Sequence, residues 1–511
     1  MSRRRVFFHR HAPLLLTLSV LIVLGTPTRI PWGDGPFLLA VAWRLTETLQ
    51  TDGVLVFFAG WWQQVTPHPP LGYLPVIQGD LLTGSPVWGG RVGAGLGLWL
   101  MLLGLKRHLT LDGVKPGWNS TAILLALTAS PMVWLAVDQV GWDLFAAALV
   151  CHCLAALRES DDLRDLGASA RFGGWMAAGF LTKYSFPFFL VLPCIWTGVR
   201  LLRQRQGGRG LAVALVVFTV LALPWLLGAA ATLRAYLGAM AEDPTLISAN
   251  VRASRVSAEA LSYYPLALKD AWGWPGLLVG AFGLLQVALH AERPHRKGLI
   301  LASVLGALVG LTTLSVAVDR YVLPLLPLLL LPLGRARDSS WTLVFFGVNT
   351  LLWAGSALSF GQGAPATHQP GYAHSVSTLS WPRSRVFLPS DVDVLAWDID
   401  AQLRAAATPD PGPLVGLLLP FDFHLPDVGV YLLQSEINGY SFDLLPIRPP
   451  PDGPVPPETR LPDGLTTMIV VDERSRSVAA RTDWLNERGF VAETAMELPG
   501  GRQAAIFRRA P

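Results

Sequence analysis

The sequence predicts an α-helical polytopic membrane protein with a small soluble α/β domain at its C-terminal end. Of its 511 residues, 51% are hydrophobic and only 15% are charged, whereas soluble domains carry about 25% charged residues. Long apolar blocks fill the first 360 residues, and charged residues become frequent after that point. Basic residues also recur in every second connection between these blocks. The deficit of charge and its uneven distribution together predict the fold class.

The apolar blocks have the length that a membrane-spanning helix needs. A bilayer core of about 30 Å is crossed by about 20 helical residues, and the blocks therefore predict about eleven spans. The first follows the basic segment MSRRRVFFHRH and is interpreted as an uncleaved anchor. The predicted spans cover residues 12–26, 86–105, 118–136, 140–157, 172–184, 185–202, 211–230, 273–290, 298–317, 321–334 and 340–360.

The distribution of Lys and Arg predicts the orientation of the chain. Cytoplasmic connections carry an excess of these residues, so a basic N-terminus lies inside and, with an odd number of spans, the C-terminal domain lies outside. We therefore expect a multi-pass protein of the cell (inner) membrane. The supporting residues are Arg3, Arg4, Arg5, Arg10, Lys106, Arg107, Lys115, Arg158, Arg164, Arg171, Arg200, Arg203, Arg205, Arg209, Arg293, Arg296, Lys297, Arg335 and Arg337.

The composition divides the chain into a transmembrane domain, residues 1–360, and an extracytoplasmic α/β domain, residues 361–511. In the second domain the apolar runs shorten to the length of strands. Residues 414–419 and 468–471 are typical of buried strands, whereas 391–407 and 479–488 have helical spacing. No motif in this domain indicates chemistry.

The first outer connection, residues 27–85, is long and contains two short helical patterns. Residues 37–49 place Phe37, Val41 and Leu45 on one face, which predicts an amphipathic helix along the membrane surface. A second apolar stretch, within 66–82, is too short to span. Asp34 stands just before the first helix, flanked by glycines, and a turn residue is the alternative interpretation.

Further ionisable residues are predicted near the outer ends of the spans. Asp138 and Asp143 stand at the entrance of one span, and Lys183 lies inside an apolar run. Ionisable groups at membrane depth are costly and usually face a cavity or a partner; the alternative for Lys183 is that its ammonium group reaches the interface. Arg320 and Tyr321 follow Asp319, which leaves a local ion pair as the alternative. Together these groups predict a cavity that faces outward.

Six short motifs, in order along about the first 335 residues, make the sequence similar to the GT-C class of polytopic glycosyltransferases. The nearest groups are the protein O-mannosyltransferases and the bacterial aminoarabinose transferase. The motifs are Gly33-Asp34 soon after the first span, His68-Pro69-Pro70-Leu71-Gly72-Tyr73, Arg91 near the next span, Ser130-Pro131 with Asp143, the stretch from Phe180 to Pro187, and Arg320-Tyr321 with Leu323-Pro324 and Leu326-Pro327.

The resemblance implies a transferase that takes a sugar from a polyprenyl-phosphate carrier and passes it, with inversion, to a lipid, glycan or protein acceptor outside the membrane. Asp34 would be the general base, because a phosphate leaving group needs no general acid. Lys183 and Arg320, with Arg91 and His68 behind them, would neutralise the phosphate.

Asp143 would be the second catalytic residue and would orient acceptor or donor hydroxyl groups. Asp138 and Tyr321 would line the substrate site. No cofactor is required, although a divalent metal held by Asp34 and Asp143 is an alternative. We expect a membrane partner and no nucleic acid.

Two other classes of protein compete with a transferase. A transporter or flippase of a lipid-linked sugar would also have many spans, but such proteins show internal repeats and charged residues near the midplane. The sequence has no repeat, and its charged candidates are predicted at one face. A displayed binding domain would need one span as an anchor.

Overall fold

The computed structural model describes residues 3–24, 35–62, 69–138, 140, 142–242, 294–312 and 319–331, with short pieces between 263 and 285. Beyond these it describes 414–418, 444–447, 465–472, 482–498 and 502–509. Chain contacts separate two compact units. The first contains residues 3–24 and the described residues from Ala42 to Leu331, and the second contains residues 35–41 and the strands.

The described residues up to Leu331 are mostly α-helical, and apart from residues 35–41 these helices belong to the first unit. Among the described residues there are also 3-10 turns at Pro70–Tyr73, Phe186–Phe189 and Asp319–Val322. The helices are α1 Arg3–Leu24, α2 Gly35–Thr51, α3 Val54–Trp62, α4 Leu74–Thr83, α5 Pro86–Leu111, α6 Trp118–Thr128, α7 Pro131–Asp138, α8 Asp143–Glu159, α9 Leu166–Phe180, α10 Val191–Gln204, α11 Gly208–Glu242, α12 Pro294–Thr312 and α13 Leu325–Leu330.

Several helices differ from the predicted spans. The span predicted at 118–136 is divided into α6 and α7, because Pro131 cannot continue the hydrogen bonding of α6 and instead starts a new helix. The span predicted at 211–230 is longer, since α11 has 35 residues and ends at Glu242. The helix α3 was not predicted. Residues 340–360 lie outside the described residues, and 273–290 lie largely outside them.

Glycines allow α5 to touch two neighbouring helices at the level of the backbone. A Cβ on Gly93 would lie 2.6 Å from the carbonyl oxygen of Pro75 in α4. Two other glycines of α5 face α8. A Cβ on Gly97 would lie 3.0 Å from the backbone nitrogen of Phe145, and one on Gly104 would lie 2.7 Å from the Cβ of Cys151. Small residues at such crossings let two helices approach closely.

Ion pairs join the ends of helices in the region predicted to be cytoplasmic. Glu159 at the end of α8 accepts hydrogen bonds from Arg107 of α5 and, at 3.2 Å, from Arg171 of α9. Partial burial acts to raise the pKa of Glu159, but the hydrogen bonds and charges of these two arginines lower it below its usual value. Arg158 forms an ion pair with the buried Asp112. The ends of α5, α8 and α9 are thus fixed together.

The outer surface of α11 is strongly apolar. Its segment Gly208–Ala235 has a mean hydropathy of 2.5, and Val220 and Leu227 are 65% and 71% exposed. Among the described helices, this segment and Trp88–Leu111 are long and apolar enough to cross a bilayer. A row of exposed aliphatic side chains is unfavourable in water and favourable in lipid.

The second unit contains a five-stranded sheet in the order β2-β1-β3-β5-β4. Its strands are β1 Leu414–Leu418, β2 Leu444–Ile447, β3 Leu465–Asp472, β4 Phe490–Leu498 and β5 Arg502–Arg509. The first three pair in parallel, and β5 pairs antiparallel with β3 and β4. Residues 482–486 are helical, which agrees with the pattern at 479–488, whereas 391–407 lie outside the described residues.

Candidate functional site

A buried ion pair joins two helices of the first unit. Asp143, the first residue of α8, accepts a hydrogen bond from the ammonium group of Lys183, which follows α9. Asp143 is 4% exposed and Lys183 is 7% exposed. The positive end of a helix dipole lies at its first turn, so the start of α8 also favours a carboxylate there. The lysine therefore has a charged partner inside the protein and does not need to reach the interface.

The ring of Tyr321 completes this pair. Tyr321 belongs to the 3-10 turn Asp319–Val322, and the Nζ atom of Lys183 lies 4.6 Å from the centre of its ring. An aromatic face carries negative charge density and attracts a cation at this distance. Lys183 thus contacts a carboxylate and an aromatic face, which restrict where its ammonium group can lie.

The chain around Lys183 leaves helical geometry because of local packing. The helix α9 ends at Phe180, and the backbone N–H of Lys183 still donates to the carbonyl of Gly179 at 3.1 Å. The ring of Phe186 occupies the space that a Cβ on Gly179 would need. The resulting turn ends α9 before residue 184, where the predicted span ended, and it presents Lys183 to Asp143.

The 3-10 turn Pro70–Tyr73 packs on both parts of the ion-pair site. The N–H of Leu71 donates to the carbonyl of Leu181 at 2.9 Å. A Cβ on Gly72 would lie 3.1 Å from the indole of Trp142, which precedes Asp143, and the ring of Tyr73 meets that indole edge-on at 5.0 Å. The outer connection is thereby joined to the residues on either side of the charged pair.

Val140 determines how α7 turns into α8. This residue is 1% exposed and has a φ of 55°, which is unfavourable for a β-branched side chain. Such strained residues are found where the surrounding structure holds them, often beside functional groups. This left-handed residue lies three positions before Asp143.

The other predicted site residues are described unequally. Arg91 lies on α5 and is 2% exposed. The backbones of Asp138 and Arg320 belong to α7 and to the turn Asp319–Val322, while their side chains lie outside the description. Asp34 and His68 lie outside the described residues altogether. Of the eight predicted residues, the structure brings together Asp143, Lys183 and Tyr321.

Sequence reasoning missed one buried carboxyl group, that of Asp80 in α4. Asp80 is 1% exposed, and the hydroxyl of Thr46 in α2 lies 3.4 Å from its Oδ2 atom. Burial raises the pKa of Asp80 to about 8. The available signal was an acidic residue inside the short apolar stretch 74–82.

The described residues contain no group of three or more His, Cys, Asp or Glu side chains that could hold a metal ion. Asp143 binds the ammonium group of Lys183, so a metal at Asp143 would have to replace that cation. The partner proposed for such a metal, Asp34, lies outside the described residues. The geometry therefore provides a positioned cation, and the alternative of a metal stays untested.

The fold of this chain is similar to the GT-C fold. Two solved structures of ArnT, an aminoarabinose transferase, from Cupriavidus metallidurans have this fold. The structure bound to undecaprenyl phosphate is 16% identical to this chain, with a TM-score of 0.61 and coverage of 99% of this chain and 98% of that chain. The apo structure gives 15% identity, a TM-score of 0.60 and coverage of 96% and 97%.

No family model matches the chain, and no curated protein matches it. The similarity to ArnT therefore shows the fold, and the resemblance that the sequence motifs indicate is confirmed at that level.

Proposed function

We propose that this protein is an inverting glycosyltransferase that moves a sugar from a polyprenyl-phosphate carrier to an acceptor at the extracytoplasmic face of the cell membrane. The observation that carries the proposal is the buried pair of Asp143 and Lys183 beneath the ring of Tyr321. The undecaprenyl phosphate bound by ArnT of the same fold supports a carrier of this chemical class.

The charged pair suits a site where negative charge develops on a leaving phosphate. An ammonium group has three N–H donors, and Lys183 uses one on Asp143. The carboxylate and the Tyr321 ring hold the ammonium group in place before the reaction, which is how a fixed cation stabilises a developing anion. We assign Asp143 the role of positioning Lys183.

Because Asp143 balances the charge of Lys183, the pair alone has no net charge to offer a phosphate. The further positive charge would come from Arg91, Arg320 and His68. A guanidinium group binds two phosphate oxygens at once, whereas an ammonium group acts as a point charge. We therefore propose that the arginines bind the phosphate and that Lys183 stabilises the charge formed when the sugar departs.

Asp34 is the proposed general base. It immediately precedes Gly35, the first residue of α2, so its competing role is that of a helix-capping residue. Aspartate and asparagine cap helices about equally well, but asparagine cannot accept a proton from an acceptor hydroxyl or amine. The substitution Asp34→Asn therefore separates catalysis from capping.

The test is sugar transfer in membrane vesicles that contain the wild type, Asp34→Asn or Asp34→Ala at equal expression. A panel of radiolabelled polyprenyl-phosphate sugars serves as donors. We expect the wild type to discharge one donor and Asp34→Asn to lose about 10²–10⁴-fold in rate, which is the usual contribution of base catalysis. Equal rates for the wild type and Asp34→Asn would reduce Asp34 to a cap.

Transport is the outcome that would replace the proposal. If no donor is discharged while labelled lipid crosses the vesicle membrane, the protein is a transporter or flippase. A transporter would also tolerate Asp34→Asn. Retained binding of donor by an Asp34→Asn protein that no longer turns over would instead favour the transferase.

A further inference from the structure

Asp80 and Thr46 form a polar contact that the proposed chemistry does not use. Asp80 lies on α4 and Thr46 on α2, and each is 1% exposed. The Oδ1 atom of Asp80 has no hydrogen-bond partner among the described residues. This Oδ1 atom lies against Gly89 of α5, and a Cβ added to Gly89 would overlap with it. The carboxyl group is thus enclosed between helices, with Thr46 as its described polar neighbour.

The hydroxyl of Thr46 has a single proton, and that proton already has a good acceptor. Thr46 donates to the carbonyl of Ala42 at 2.9 Å, within the usual range for a hydroxyl donor. The oxygen of Thr46 is then left as an acceptor toward Asp80, 3.4 Å away. A carboxylate has no proton to give, whereas a protonated carboxyl group has one. The contact is satisfied when Asp80 is neutral.

The charged groups on the surrounding helices do not compensate an ionised Asp80. It is the one charged residue of α4, Leu74–Thr83. On α2 the nearest charged side chains, Arg44 and Glu47, are exposed. On α5 the charged residue nearest to Gly89 along the helix is Arg91. Burial and Thr46 are the influences on the pKa of Asp80. An enclosed carboxylate with one long hydrogen bond would be strongly unfavourable.

We propose that Asp80 is a positioning residue: as a neutral carboxyl group it donates a hydrogen bond to Thr46 and thereby holds α4 against residues 42–51 of α2, which belong to the same unit. This inference rests on the proposed function. The helix α4 continues directly from the turn Pro70–Tyr73, which packs on Leu181 and Trp142 beside the charged pair. A displacement of α4 would shift the turn that packs beside the charged pair, and small misplacements of a catalytic group reduce turnover strongly.

The variants separate this role from general packing. Asp80→Asn is neutral, has nearly the same shape and keeps a donor for Thr46 at every pH. Thr46→Val removes the hydroxyl, and Thr46→Ser restores it. The matched control is Thr48→Val, because Thr48 of the same helix donates to the carbonyl of Arg44 at 2.9 Å.

The experiment measures the rate of donor discharge from pH 6 to pH 9.5 in vesicles with the labelled donor that the wild type accepts. We expect wild-type turnover to fall as Asp80 ionises, because only the neutral form donates to Thr46. One pH unit above the pKa of Asp80, about one-tenth of the molecules keep the neutral form. Asp80→Asn should keep its turnover there, about tenfold above the wild type. Thr46→Val should be slow at every pH with an unchanged KM for the donor, Thr46→Ser should recover, and Thr48→Val should match the wild type.

Three results would overturn the inference. They are an inactive Asp80→Asn protein beside an active wild type, the same alkaline decline in both, and equal losses in Thr46→Val and Thr48→Val. If the wild type discharges no donor, the proposed function fails and thermal unfolding decides the hydrogen bond separately. A neutral Asp80 would be supported if the thermal unfolding midpoint of the wild type falls relative to that of Asp80→Asn as the pH rises from 5 to 8. Parallel plots of midpoint against pH for the two proteins would refute it.

Discussion

Substitution of Lys183 by methionine should destabilise the protein severely, because it leaves the carboxylate of Asp143 buried without its cation. The two residues are 7% and 4% exposed, so solvent screens little of their interaction. Removing one partner of such a pair costs about 3–5 kcal/mol. Replacing both, with Asp143→Asn beside Lys183→Met, removes the stranded charge, and the double variant should recover most of this loss.

The measurement is the free energy of unfolding in mixed micelles, titrated with a denaturing detergent, for the wild type, both single variants and the double variant. The cycle should give a coupling of about 2–4 kcal/mol. An exposed pair is the matched control: Arg164 and Asp161 lie 3.8 Å apart and their side chains are 45% and 65% exposed. Arg164→Gln should cost about 0–1 kcal/mol. A cost for Lys183→Met no larger than this would refute the reasoning.

Three further predictions concern stability. Gly173→Ala should cost about 1–3 kcal/mol of unfolding free energy, because its methyl group would enter the space of the Ala214 carbonyl. Gly198→Ala in α10 should instead stabilise by about 0.5–1 kcal/mol, because nothing lies within 4 Å of the added Cβ. Unfolding titrations compare the two variants. The raised pKa of Asp80 should make wild-type stability fall relative to Asp80→Asn between about pH 4 and pH 8, by at most roughly 1.4 kcal/mol per pH unit; equal slopes would contradict this. The lowered pKa of Glu159 contributes stability at a pH above the unfolded pKa, and this stability is lost as the pH falls through the folded pKa. Glu159→Gln should therefore destabilise the protein at pH 7, and this difference should shrink as the solution is acidified.

Elements with a regular pattern were predictable from the sequence. The apolar face at 37–49 predicted a helix that the structure places at Gly35–Thr51. The run at 414–419 predicted the strand Leu414–Leu418. The helix α3, Val54–Trp62, was missed because nine residues are too few for a span and its run of apolar residues shows no periodicity.

The contacts of the site were beyond the sequence. It indicated that Asp143 and Lys183 both lie near the outer ends of spans, but the residues are 40 positions apart, and nothing local specifies that they touch. The turn that presents Lys183 depends on Phe186 entering the space beside Gly179. The burial of Asp80 likewise depends on Gly89 of another helix. Such features are set by tertiary packing, which periodicity does not record.

The glycines of α5 also determine which parts of the site can move. Backbones that touch, as α5 does with α4 at Gly93 and with α8 at Gly97, leave no side chains between them to reorient. Closely packed interiors change between discrete arrangements and do not deform gradually. We therefore expect α4, α5 and α8 to behave as one rigid frame that holds Asp143 still. Admission of a bulky lipid tail would then depend on segments outside this frame.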